Sequence, residues 1–200
     1  RLIRSLPSDV TLMACYSQLK ELDRFGARVL TDDYSLCSDA PSTYFLKVQE
    51  LAVRKGLRFF CKTEDTFAQE FVNSPYTPCL EQHQRRWDRL SQEKVEGVLT
   101  QYLHLGFMPT PCQDLARQNV FETRKDDRLV EMNASQKLWE TARLNYGEGA
   151  AGWVIRAWEA FSAAIRDHYP YTWGVCRYPG PVQSAPGQPF SLDPARKLPR

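Results

Sequence analysis

The feature that most constrains this chain is a repeated unit: an apolar run, a polar loop, then a helix start marked by proline. Residues 29–34 read as a strand, followed by Ala40-Pro41-Ser42 and an amphipathic stretch with Tyr44, Phe45, Val48, Leu51 and Ala52 at helical spacing. Gly56 ends that stretch as a left-handed cap. Residues 57–64 form a second expected strand, and Thr77-Pro78 reads as the cap and first position of a helix carrying Leu80, Trp87 and Leu90. Residues 97–104 give a third strand, with its helix opening at Thr110-Pro111 and Gln113 at capping-box spacing. Residues 10–16 add a fourth strand ahead of these, and the charged connection from Gln18 to Gly26 fits either a hairpin or a helical turn. Strands alternating with helices of this length imply an α/β fold with parallel pairing, right-handed crossovers and helices covering the sheet.

The strand pattern stops near residue 124. Leu138, Trp139 and Ala142 mark one helix ending at Gly147, and Ala150, Trp153, Val154, Ala157, Trp158, Phe161 and Ile165 mark a second that Pro170 closes. These tryptophans are expected to pack in a core. Beyond them a proline-rich tail lacks periodicity and reads as a capping loop or linker. The expected organisation is therefore a βα region over 1–122, a helical region over 123–172 and a tail over 173–200.

With 200 residues, the chain is long enough for about one domain and a sizeable core. No apolar stretch approaches the ~18 residues of a membrane span, so no membrane partner is expected. Twenty-six Lys and Arg against 24 Asp and Glu leave a net charge of +2, too balanced for a nucleic-acid footprint. The basic pairs Arg85-Arg86 and Arg124-Lys125 read as solvated faces. Six cysteines stand without a C-x-x-C pair or a histidine at ligand spacing, which argues against a zinc site. Cys15 and Cys61 fall in strand-like runs and suit buried thiols, tilting the compartment slightly toward the cytoplasm. Arg1 replaces an initiator methionine and no secretory leader pattern follows it, as expected of an excerpt from a longer protein.

Ligands in parallel α/β folds bind at the C-terminal ends of the strands, where the βα loops gather. Tyr16, Asp32, Asp33, Tyr34, Lys62, Glu64, Asp65, Tyr102 and His104 occupy those positions. Acids on neighbouring strand tips stand roughly 5 to 10 Å apart, the separation glycoside hydrolysis requires of its two carboxyl groups. Asp33 and Glu64 are the preferred catalytic pair, with Asp32, Asp65 and Glu70 as substitutes. The competing reading has Asp32 or Asp33 capping the next helix or its loop, and Glu64 pairing with Lys62. The long loop over 65–76 supplies Gln69, Glu70, Asn73 and Tyr76, which are amides, an acid and an aromatic suited to a sugar, or else simply covers the rim. His104 suits a donor or base because it titrates near neutrality, whereas His83 and His168 read as surface or capping residues. Dinucleotide, P-loop, nucleophile-elbow and zincin motifs do not occur, and neither a cofactor nor a bound metal is expected.

Thr31-Asp32-Asp33-Tyr34-Ser35, Lys62-Thr63-Glu64 with Gln69-Glu70, Pro75-Tyr76-Thr77-Pro78, and Gly97-Val98 leading to Gly106-Phe107-Met108-Pro109 together resemble the C-terminal half of glycoside-hydrolase-like (β/α)8 barrels. Tyr169-Pro170-Tyr171 and Arg177-Tyr178-Pro179-Gly180-Pro181 are similar to the helical region trailing such barrels in large bacterial carbohydrate-active proteins. The resemblance spans residues 10 to 190. It implies a partial TIM-type barrel of about four βα units followed by an α-helical region, with the N-terminal half of the barrel as its structural partner. It also implies a sugar-binding mouth acting on a carbohydrate substrate, to which Asp32, Tyr34, Lys62, Gln69, Glu70, Asn73, Tyr76, Tyr102, His104 and Tyr178 contribute. Two alternatives share that mouth: a glycan-binding barrel without catalysis, and a metal-dependent hydrolase or lyase using Asp32, Glu64 and His104. Half a barrel alone would expose two sheet edges and an apolar face, so the isolated chain is expected to associate or to be poorly soluble.

Overall fold

A computed structural model describes residues 2–24, 26–31, 35–64, 76–101, 109–121, 124–125, 128–129 and 131–168. A short turn of helix, α1 (Leu2–Ser5), leads into β1 (Thr11–Cys15), then the strands β2 (Glu21–Arg24) and β3 (Ala27–Leu30), α2 (Thr43–Lys55), β4 (Arg58–Glu64), α3 (Leu80–Leu90), β5 (Gly97–Gln101) and α4 (Pro111–Val120). The two-residue strands β6 (Arg124–Lys125) and β7 (Arg128–Leu129) precede α5 (Ala134–Tyr146) and α6 (Glu148–Ala163), which runs on into a π-helical turn, Ala164–His168.

β1, β4 and β5 form one parallel sheet with β4 in the centre, in the order β1-β4-β5. Side chains alternate between its two faces. Leu12, Ala14 and Tyr16, Phe59 and Cys61, and Val98 share one core with Phe45 and Ala52 of α2, Trp87 and Leu90 of α3, and Ala116 of α4. The two crossover helices, α2 and α3, therefore cover the same face, and α4, which follows β5, adds Ala116 to the same core. The opposite face carries Met13 and Leu99, which are 46% and 49% exposed, with the Phe60 ring lying over Gly97 between them. Parallel sheets ordinarily have both faces covered; among the described residues this second face is mixed and partly exposed, with Arg58 and Lys62 of β4 beside Met13, Phe60 and Leu99.

The parallel strand expected over residues 29–34 is corrected. Residues 27–30 pair antiparallel with residues 21–24, forming a hairpin apart from the main sheet. Local turn chemistry explains the difference. Gly26 takes a left-handed conformation (φ 77°), and its N–H donates to Asp23 Oδ1 at 3.2 Å, which closes a two-residue turn between the strands. The described sheet thus holds three parallel strands, and the crossover from β1 to β4 passes through the hairpin before entering α2.

Helix ends follow local chemistry. Ser42 caps α2, its Oγ accepting from Phe45 N–H at 3.0 Å, and Gly56 (φ 73°) closes the helix by donating to Ala52 and Val53 carbonyls. The second expected helix starts two residues beyond the Thr77-Pro78 position, with Cys79 as its cap. At α4 the Thr110 N–H donates to Gln113 Oε1 at 3.2 Å, in keeping with the capping-box spacing.

α5 and α6 form a hairpin that packs on α3 and α4. Leu80, Cys112, Leu115, Leu138, Ala142, Ala151 and Trp158 make one core across these four helices. Polar side chains tie the same junction: Gln84 and Asn119 exchange amide hydrogen bonds at 2.9 and 3.1 Å, and Lys137 donates to Asn119 Oδ1 at 2.8 Å. Of the tryptophans expected inside, Trp158 is buried, but Trp139 is exposed and Trp153 is 71% exposed, with the Arg156 guanidinium 3.9 Å above its ring. α6 carries apolar residues around more than half of its circumference, so periodicity alone does not select its buried side.

Candidate functional site

Parallel pairing places the C-terminal ends of β1, β4 and β5 together. The ladder between β1 and β4 runs from Thr11 opposite Arg58 to Cys15 opposite Lys62, and Tyr16 N–H then donates to Lys62 carbonyl at 2.9 Å. β4 continues beyond that point through Thr63 to Glu64, which pairs with Gln101 of β5. Glu64 is thus the last residue of the central strand; its backbone alone is described. Lys62 lies half-buried one residue inside Thr63.

Beneath these strand ends α3 inserts a polar face. Leu80, His83, Trp87 and Leu90 recur at helical spacing, which turns His83 inward with the apolar residues. Gln82 and Arg86, one turn apart, flank that stripe. Arg86 is 4% exposed. Its Nη1 donates to Ser35 carbonyl at 2.7 Å, and its Nη2 donates to Thr63 Oγ1 at 2.9 Å and to Ser17 Oγ at 3.2 Å. The guanidinium also lies over the Tyr16 ring, 5.1 Å from its centroid. One turn earlier, Gln82 Nε2 donates to Leu36 carbonyl at 3.0 Å, so α3 grips two consecutive carbonyls.

Tyr16 adds a second tie to the same region, its hydroxyl donating to Asp39 carbonyl at 2.7 Å. Burial pushes the Tyr16 phenol well above its ordinary range, and the Arg86 charge only partly opposes this, so the hydroxyl stays protonated and keeps donating. His83 is 2% exposed and its Nε2 has no hydrogen-bond partner among the described residues. Burial, with Arg86 adding repulsion, pushes His83 down to about 3, so the imidazole is neutral near pH 7. Tyr16, Thr63, His83, Arg86, Trp87 and Leu90 surround a cleft too tight for a water molecule. This cluster is a packed support under the strand ends.

Two expectations are corrected here. Arg85 does lie outward, pairing with Glu81 four residues earlier, but Arg86 is buried in the cluster. His83 belongs to the interior, not to the surface. The sequence signal for both was the coincidence of polar residues with the inward stripe set by Leu80, Trp87 and Leu90.

Tyr76 points its hydroxyl into the helical core, where it accepts from Trp158 Nε1 at 2.7 Å. Burial, reinforced by a hydrogen bond with Tyr146, raises this phenol above its ordinary range. Asp32, Asp33, Tyr34, Asp65, Gln69, Glu70, Asn73, Tyr102, His104 and Tyr178 lie outside the described residues. Among the described residues no group of His, Cys, Asp or Glu side chains is arranged to hold a metal ion, and no helix is long and apolar enough to cross a membrane. Comparison of the chain with protein-family models, with curated proteins and with solved structures finds no match.

Proposed function

We propose that this chain forms part of the wall of a (β/α)-barrel carbohydrate-active hydrolase, with Asp33 and Glu64 as its carboxylate pair. The observation that supports the reading is the one-sided sheet: three parallel strands in sequential order, with α2, α3 and α4 all on one face. A doubly wound sheet reverses its strand order and places helices on both faces, whereas a barrel wall keeps sequential order and helices outside only. In that frame Met13, Phe60 and Leu99 belong to the side-chain layers that fill a barrel interior. Further parallel strands continue the sheet along the edges of β1 and β5.

The mouth of such a barrel lies at the C-terminal strand ends, where Glu64 finishes the central strand. One carboxylic acid protonates the glycosidic oxygen as the bond breaks. The other attacks the anomeric carbon or activates a water to do so. The test is hydrolysis of a panel of aryl glycosides and oligosaccharides by the protein, with Asp33→Asn and Glu64→Gln alongside. Turnover that falls about a hundredfold or more in both variants is the expected result. A folded protein that hydrolyses none of the panel, or variants as active as the parent, would overturn the reading.

A further inference from the structure

We propose that Arg86 is a positioning residue for the carboxylate-bearing end of β4; the inference rests on the reading of Glu64 as a member of the catalytic pair. Among the described residues, backbone hydrogen bonds hold β4 to β1 as far as Lys62, whose carbonyl accepts from Tyr16 N–H. Thr63 and Glu64 project past that last bond. On the β1 side a side chain takes over: Arg86 Nη2 donates to both Thr63 Oγ1 and Ser17 Oγ, so the guanidinium bridges the two segments where the ladder has ended.

The third arm of the bridge reaches Ser35, two residues after Asp33 in the chain. One planar group therefore fixes three backbone segments relative to one another, and two of them adjoin the proposed carboxylates. Its rigidity is supplied from outside the mouth. Arg86 is buried, the Tyr16 ring lies against it, and Gln82 holds the next carbonyl, that of Leu36. A lysine could not reproduce this arrangement, because an ammonium is a single point donor on a flexible stem, without the fork that reaches separate acceptors in one plane. A shift of about 1 Å in a reacting group costs on the order of a hundredfold in rate, so the precision of this bridge is what catalysis would read.

The test compares the protein with Arg86→Lys and with Ser17→Ala, which leaves the guanidinium in place and removes one acceptor of the bridge at a position remote from Glu64 in sequence. Two readouts are taken on each: kcat and KM on the best glycoside, and the amide resonance of Glu64 in a heteronuclear NMR spectrum, with Val48 and Leu138 as remote references. The expected result is a displaced Glu64 resonance with the references unmoved, and kcat lower by about a hundredfold in Arg86→Lys with KM little changed. If Arg86→Lys does not fold, Ser17→Ala decides. A Glu64 resonance at its parent position in every folded variant overturns the proposal. Absence of turnover in the parent would reject the hydrolase reading alone, because the NMR arm still decides whether Arg86 sets the position of Glu64.

Discussion

Arg86 donates from Nη2 to Thr63 Oγ1 at 2.9 Å, which joins the middle of α3 to the end of the central strand through a contact buried on both sides. The two residues are 23 positions apart in sequence. Replacing the guanidinium with an apolar chain of similar length leaves the Ser35 carbonyl and the Ser17 and Thr63 hydroxyls to find other partners in a dry site. Arg86→Met is expected to lose about 2 to 4 kcal/mol of unfolding free energy. Urea unfolding with an unchanged slope and a lower midpoint would give that result. A loss below about 1 kcal/mol would mean that these groups re-pair easily.

His83 gives the protein a pH-dependent stability of known sign. Its folded-state value near 3 lies below the ~6.5 of an unfolded chain, so between those limits the unfolded state binds the extra proton. Stability from this residue is complete above about pH 6.5 and is lost progressively as the pH falls from there toward the folded-state value. Subtracting the stability curve of His83→Gln from that of the parent should isolate this slope. Parallel curves for the two proteins would contradict a buried, neutral imidazole.

The Tyr76–Trp158 contact anchors the chain entering α3 to α6. Its Nε1–hydroxyl bond of 2.7 Å is partly shielded from solvent. A double-mutant cycle with Tyr76→Phe and Trp158→Phe should return a coupling of about 1 kcal/mol. Additive single and double variants would show that the bond contributes nothing beyond packing.

The open face of the sheet predicts solution behaviour. Met13 and Leu99 are both nearly half exposed, on the two edge strands of a parallel sheet. The 200-residue chain alone is expected to self-associate at micromolar concentration, and Met13→Glu with Leu99→Glu to shift it toward monomer with little change in stability. Sedimentation velocity distinguishes the cases, and a parent chain that sediments as a monomer across that range would contradict the expectation.

Much of the fold was legible because local chemistry and global pattern agree. The apolar runs at β1, β4 and β5, the αL glycine after α2 and the Pro-Gln signal at α4 each read directly as an element boundary. The hairpin of β2 and β3 was harder, because residues 29–34 carry the same apolar run whether they pair in parallel or turn back. Gly26 with Asp23 decides the matter, and their turn is visible only as a short charged connection. The support under the strand ends was least legible. A buried arginine and a buried neutral histidine look like surface residues to any rule based on residue type, and their burial follows from tertiary partners at Ser17, Ser35 and Thr63. The strand-end position of Glu64, by contrast, follows from the strand pattern alone.

The central claim is that the end of β4 and the segment preceding Ser35 bring two carboxylates to one mouth. The distance between the Asp33 and Glu64 carboxyl groups in a crystal structure of the protein measures this directly. A separation of roughly 5 to 10 Å across a single open cleft is the predicted result. Carboxyl groups lying farther apart, or facing separate surfaces as helix caps and exposed ion pairs, would contradict it.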